Sequence, residues 1–187
     1  MLRATAIGIA LLVGACAHVE WPRFYTLDMT PSATAGARYN IVVERLRASD
    51  ALMRNDILIK KSPTEVEYYA LDRWVSGLGE LVSEKLGAEF GAPKESLETI
   101  VVSGQIAAFE QIDRADGADG HARLALEMRA EDSGRYGDPL LKKTYEASVA
   151  MNGKGPSEAV KALSRALEQI AAAVAQDVDK IPEVKQQ

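Results

Sequence analysis

From residue 99 onward the chain alternates between apolar and polar positions. Ile100, Val102, Ile106 and Ala108 fall on one face of an extended segment from Thr99 to Asp113. Between His121 and Asp132, Leu124, Leu126 and Met128 share a face, and Arg123, Glu127, Arg129 and Glu131 share the other. Leu141, Tyr145, Ala147, Val149 and Met151 then alternate with Lys142, Thr144, Glu146 and Ser148, with Lys143 the one charge out of phase. A period of two marks strands with one buried and one wet face. The turn-rich stretches Asp113–Gly120 and Ser133–Pro139 separate the three segments, so they are read as a meander. Upstream, Phe24–Asp28 and Tyr39–Leu46 read as short strands on either side of the loop Thr30–Ala37. Asp56–Lys61 and Glu65–Ala70 read as hairpin arms around Ser62-Pro63-Thr64.

Twice the period becomes helical. Val75, Leu78, Leu81, Val82 and Leu86 predict a helix from about Arg73 to Phe90, with Asp72 as its N-cap and with Gly77 and Gly79 suited to close packing against the sheet. Val160, Leu163, Leu167, Ile170, Val174 and Val178 predict a longer helix that opens at Gly155-Pro156-Ser157 and is stopped by Pro182. A half-wet sheet and two amphipathic helices make a two-layer α+β domain, its sheet mostly antiparallel and both helices on one face. Residues 24–187 are read as one such domain, without internal repeats.

The first residues follow a different pattern. Met1-Leu2-Arg3 precedes the ten-residue apolar run Ala4–Val13, and Gly14-Ala15-Cys16 follows it, the order of a secretory signal. At about 1.5 Å per residue the run covers roughly 15 Å, half of a hydrocarbon core of about 30 Å. Val13-Gly14-Ala15-Cys16 resembles the lipobox of bacterial lipoproteins, which makes residues 1–15 a signal peptide and Cys16 the lipidated first residue of the mature chain. An ordinary secreted protein would carry this sole cysteine as an odd thiol in an oxidising compartment, and lipidation accounts for it directly. Ala17 stands where such lipoproteins carry Asp as an inner-membrane retention signal, so the outer membrane, periplasmic face, is expected. Residues 16–23 form the tether; the eight steps from Cys16 to Phe24 reach at most about 26–29 Å.

Composition narrows the functional classes. The 187 residues carry a formal charge of −5, with 47% apolar and 26% charged residues, and losing Arg3 with the signal moves the charge to −6. Such a chain can bury a core and offers no cationic stripe for nucleic acid. One Cys and two His make a Cys/His zinc site implausible. No catalytic residue, metal ligand or cofactor is assigned. His121 opens a strand beside a turn without a nucleophile motif, and His18 belongs to the tether. Asp113, Asp116 and Asp119 with Gly117 and Gly120 lack the ligand alternation of a calcium loop and are ordinary turn residues. Gly153-Lys154-Gly155-Pro156-Ser157 opens a helix but lacks the first glycine of a phosphate loop, and Pro156 replaces its hydroxyl.

Phe109 is out of phase with the apolar face of its strand. Either a bulge returns it to the core, or it stands among charges as a contact for a partner or lipid. Phe109, Arg123, Glu127 and Arg129 are therefore the candidate partner-contact residues. Trp74, at the expected helix start, is read as a core anchor.

The lipobox followed closely by Phe24-Tyr25-Thr26-Leu27, the block from Ile57 to Leu86, the strand Val101–Asp113 and the helix Val160–Val178 together resemble the ABC-type transport auxiliary lipoproteins, the family of paraquat-inducible protein C. The resemblance spans nearly all of the mature chain. It implies a non-catalytic outer-membrane lipoprotein that works with a periplasmic MCE-domain protein and, through it, an inner-membrane ABC permease and ATPase in phospholipid trafficking and envelope integrity. Homo-oligomers are compatible with that role. The alternative is a structural or assembly lipoprotein of another envelope machine, such as a plug or chaperone for an outer-membrane protein or a secretion-system lipoprotein. Gene neighbours separate the two. A lipid-anchored hydrolase would require a catalytic pair that the residues do not supply.

Overall fold

The computed structural model describes residues 20–30, 38–114, 116–134 and 138–182. Among these residues eight strands form one sheet: β1 (Arg23–Tyr25), β2 (Asn40–Val43), β3 (Arg47–Ala48), β4 (Asp56–Ser62), β5 (Glu65–Trp74), β6 (Thr99–Ile112), β7 (His121–Asp132) and β8 (Leu141–Ala150). A short 3-10 turn, Asp50–Leu52, lies between β3 and β4, and the helices are α1 (Leu78–Phe90) and α2 (Pro156–Asp179). The fold is α+β, with β4–β5, β6–β7 and β7–β8 as long antiparallel ladders.

The centre of the sheet is β6. The expected meander forms along one of its edges, with Ile106 opposite Leu126 and, across the next ladder, Leu126 opposite Tyr145. Along the other edge three short strands pair with β6 end to end and in parallel: β2 with residues 99–102, β3 with 105–106 and β4 with 110–112. β5 pairs with β4, and β1 adds a parallel edge strand to β5. Sequence periodicity did not reveal these parallel joins.

One face of the sheet carries both helices. α2 packs on β6, β7 and β8, α1 packs on β2 and β3, and the helices touch each other. Leu163, Leu167, Ile170 and Val174 of α2 meet Ile106, Leu124 and Leu126 in a continuous core with Trp74, Leu81, Val82 and Leu86. Ser164 lies in that contact and accepts the Asp28 amide at 3.0 Å, tying the segment after β1 to α2. Asn40 donates to the Lys94 and Leu97 carbonyls and accepts the Lys94 amide, which pins the loop between α1 and β6.

Two expectations are corrected. β5 runs on through Asp72 and Arg73 to Trp74, and α1 begins at Leu78 with Gly77 as its N-cap. Asp72 is not a helix cap; it is buried in the sheet, where Arg23 meets it in a two-pronged ion pair at 2.7 and 3.0 Å that holds β1 in place. The first apolar positions of the expected helix thus belong to the end of a strand and its connection. The second correction is Ala108. Ala107 is an extra residue between the pairs Ile106–Leu126 and Ala108–Ala125, so Ala108 falls on the face away from the helices.

Lys143, the charge out of phase, lies on edge strand β8. Its ammonium reaches over Tyr145 to Asp177 of α2 at 2.6 Å. Tyr145 donates its hydroxyl to the same carboxylate, and burial with the Asp177 charge raises its pKa. Lys143 first, then Lys180 and Tyr145, hold the Asp177 carboxyl at about 2.

Gly79 sits where α1 crosses the backbone at Leu46. A Cβ there would lie 2.3 Å from the Leu46 carbonyl oxygen, whereas one at Gly87 would meet only the Val43 Cβ at 4.0 Å. Helix propensity alone favours Ala at either position by about 1 kcal/mol. Gly87→Ala should therefore raise stability by about 0.5–1 kcal/mol, and Gly79→Ala should lower it despite the same propensity gain. Denaturant midpoints of the two variants check this. For Asp177, the depressed folded-state pKa means that its stabilisation is complete above the ordinary carboxylate pKa and fades as the pH falls toward 2. Asp177→Asn should cost about 1 kcal/mol at neutral pH, and urea titrations should show that gap closing between about pH 4 and pH 2.

Candidate functional site

The face of β6–β8 turned away from the helices is built by the polar half of each alternating strand. Its centre is small and tightly held. Ala108 and Ala125 are both buried across from each other, and Arg123 bridges three strands beside them. Its guanidinium donates to Glu146 of β8 at 2.6 Å and to Glu110 of β6 at 3.2 Å. The charge-assisted bond from Arg123 holds the Glu146 carboxyl below its usual pKa. Arg123 is thereby committed to the sheet: it neutralises Glu110, which is only 8% exposed.

Glu127 and Arg129, four and six residues beyond Arg123 along β7, are exposed. Glu127 accepts a 2.7 Å hydrogen bond from Gln105 on β6, and Arg129 makes no ion pair with any described residue. These two of the four expected contact residues therefore present charge to solvent from a rigid strand.

Phe109 is not at this surface. The extra residue Ala107 reverses the phase of β6, so Phe109 faces the core opposite Leu124 and is 1% exposed. Its ring meets Trp74 edge to face, with centroids 5.2 Å apart and planes at 72°. The bulge, one of the two readings of its phase, is what occurs, and Phe109 is withdrawn as a contact residue. Trp74 is a core anchor, though from the end of a strand.

The end of the sheet near the β6–β7 turn carries the aspartates and the histidine singled out in the sequence. Burial pushes the Asp113 carboxyl up, but the Lys61 ammonium at 2.7 Å and the Gln111 amide outweigh it and hold the pKa below the usual value. Asp116 faces Arg114 and accepts the Ala118 amide, which brings its carboxyl to about 2. These aspartates serve cations of the chain and the turn, and do not converge on one point. His121 pairs with Ala150 at the mouth of the turn. Among the described residues no group of three His, Cys, Asp or Glu could hold a metal ion. A depression of 290 Å³ beside them is lined by Ile59, Tyr69 and Met151 with Lys61, Arg114 and Lys154 at its rim. Lys154 donates to the Gly117 carbonyl, closing the turn against the start of α2. Cys16 and His18 lie outside the described residues.

A second surface was not singled out by the pattern of the chain. Around edge strand β1 stand Trp21, Phe24, Met53 and Val75, which are 80%, 62%, 72% and 59% exposed. They come from three separate segments, so no single stretch of sequence signals the cluster. Among the described residues no helix is long and apolar enough to cross a membrane.

A family model described as "ABC-type transport auxiliary lipoprotein component" matches residues 25–175. Among solved structures, protein XCC0632 from Xanthomonas campestris superposes with a TM-score of 0.66 at 16% identity, covering 81% of this chain and 92% of that one. A second, titled only as an uncharacterized protein, superposes with a TM-score of 0.65 at 18% identity, covering 85% and 99%. At these identities the likeness is one of fold. No curated protein matches the chain.

The Trp74–Phe109 contact generates a direct test of the corrected placement. Phe109→Ala should lower stability by about 3–5 kcal/mol, seen as a large drop in melting temperature, because it empties a closed core site. A surface anchor would instead leave the melting temperature almost unmoved.

Proposed function

The chain belongs to the ABC-type transport auxiliary lipoprotein family, and from that membership we propose that it is a non-catalytic, outer-membrane-anchored subunit that docks a periplasmic MCE-domain protein for phospholipid trafficking. The observation that carries the reading is the family match over residues 25–175, which takes in both layers of the domain. The lipobox at Cys16 supports the anchor. Several acyl chains, each burying methylenes at about 0.8 kcal/mol apiece, would hold the protein permanently, where a single chain would hold it only marginally.

In this role the domain supplies position and contact, and ATP hydrolysis belongs to the partner ATPase of an inner-membrane permease. The uncovered face of β6–β8 supports the docking reading. Its backbone is fixed by two antiparallel ladders, and the Arg123 bridge stiffens its centre, so Glu127 and Arg129 are presented from a backbone that has little further order to gain on binding. Opposite charges two residues apart on one strand favour one orientation of a partner, an effect on specificity and association rate more than on affinity.

Two measurements test this. Cys16→Ser should move the protein from the membrane to the soluble fraction, and intact mass of the native protein should show acylation. An unmodified Cys16 would remove the anchor. Reversing both exposed charges, Glu127→Arg with Arg129→Glu, should reduce co-purification with an MCE-domain protein of the same organism about ten-fold, or about 1.4 kcal/mol, at an unchanged melting temperature. Undiminished co-purification would exclude this face as the contact. A native protein that retains no MCE partner would favour the structural or assembly alternative.

A further inference from the structure

We propose that the edge of the sheet around β1, bearing Trp21, Phe24, Met53 and Val75, rests on the phospholipid surface to which the chain is anchored. The proposal rests on the anchoring reading of Cys16 and adds the side of the domain that meets the bilayer.

Three observations converge on this edge. The first is the placement of the apolar side chains. Phe24 lies beside Arg73 in the β1–β5 ladder and shares with Met53 the rim of a 450 Å³ depression. Val75 continues β5 past its end, where its amide donates to the Tyr25 carbonyl at 2.9 Å. Trp21 stands two residues before β1. Phe24 follows the phase of Arg73 and points away from the core, whereas Tyr25 follows Trp74 into it. Large apolar side chains clustered on a surface mark a contact with protein or lipid.

The second is reach. Five steps along the chain lead from Cys16 to Trp21, a distance of at most about 18 Å. An acylated Cys16 would place its backbone at the headgroup level, and the headgroup layer is itself roughly 5–8 Å deep on each side of the hydrocarbon. The tether is therefore short enough for Trp21 to reach the depth that tryptophan favours, where its ring is in the boundary and its N–H is hydrated. Phe24, three residues later, follows it.

The third is charge. Around this edge Arg23, Arg54 and Arg73 are matched by Asp72, Asp56 and Glu20, so the edge is close to neutral. The expected mature chain is otherwise acidic, with a formal charge of −6 after loss of Arg3. Lipid phosphates repel the acidic remainder more than this near-neutral edge, so the field favours an orientation with β1 down. The face of β6–β8 is then left for a protein partner.

Fluorescence reads this contact directly, because the chain has two tryptophans and Trp74 is buried. The acylated protein is placed in phosphatidylethanolamine/phosphatidylglycerol vesicles with or without bromine-labelled acyl chains. The bromolipids should quench the emission and the spectrum should shift to the blue, and Trp21→Phe should abolish both effects. Phe24→Glu with Val75→Glu, both at exposed positions, should also remove the quenching at an unchanged melting temperature. In a parallel arm, the chain from Cys16 onward is coupled through its only thiol to maleimide-headgroup lipid, so the edge is tested even if the native protein proves not to be acylated. Trp21 emission that stays water-like and unquenched in the coupled protein would overturn the proposal. Emission shielded from both bromolipid and aqueous acrylamide would also overturn it, and would assign the patch to a second copy of the chain. Quenching in the coupled protein with no native acylation would sustain the surface while removing the anchor.

Discussion

The fourteen-residue strand β6 must satisfy its backbone hydrogen bonds along both edges, and the rest of the sheet is arranged to meet that demand. The first edge is taken by β7, a sequence neighbour joined through a turn. The second is as long but has no single strand to match it. It is filled in three short lengths by β2, β3 and β4, so no long run of it is left as an open template for another chain. Parallel pairing follows from this arrangement, because the chain passes along this edge once, in three successive lengths that run in the direction of β6. The 3-10 turn between β3 and β4 occupies the gap between two of those lengths.

The bulge at Ala107 divides labour between the two faces. By adding one residue it moves Phe109 under the helices to meet Trp74, and places Ala108 and Glu110 on the opposite side. The core gains a large aromatic pair. The open face gains a carboxylate that is almost buried, and Arg123 compensates it while bridging β6, β7 and β8. The same bulge thus anchors the core and stiffens the platform on which Glu127 and Arg129 are displayed.

Edge strand β1 is short, and three residues of ladder would fray without help. The Arg23–Asp72 pair and the bond from Val75 to the Tyr25 carbonyl fasten it at both ends. Because the chain enters the domain here, a pull through the tether acts on this strand. Holding β1 firmly also fixes Phe24 and Trp21 beside the neighbouring loop that carries Met53.

What the chain determined by itself was everything local. The meander and α2 are legible because each depends on a period of residues within one segment, and a wet face opposite a dry one follows from alternation alone. Asp72 was misread because an acidic residue before an apolar helical spacing is a good cap in isolation, and only a distant partner, Arg23, makes it a sheet residue. The phase of Phe109 was ambiguous for the same reason: the pattern shows that something shifts, but the pairing with β7 decides that Ala107 is the extra residue. The parallel joins of β1–β4 and the apolar cluster at Trp21, Phe24, Met53 and Val75 were decided by tertiary structure alone. Both arise from contacts between segments far apart in the chain, set by which backbone edge remained unpaired, and periodicity within a segment carries no record of that.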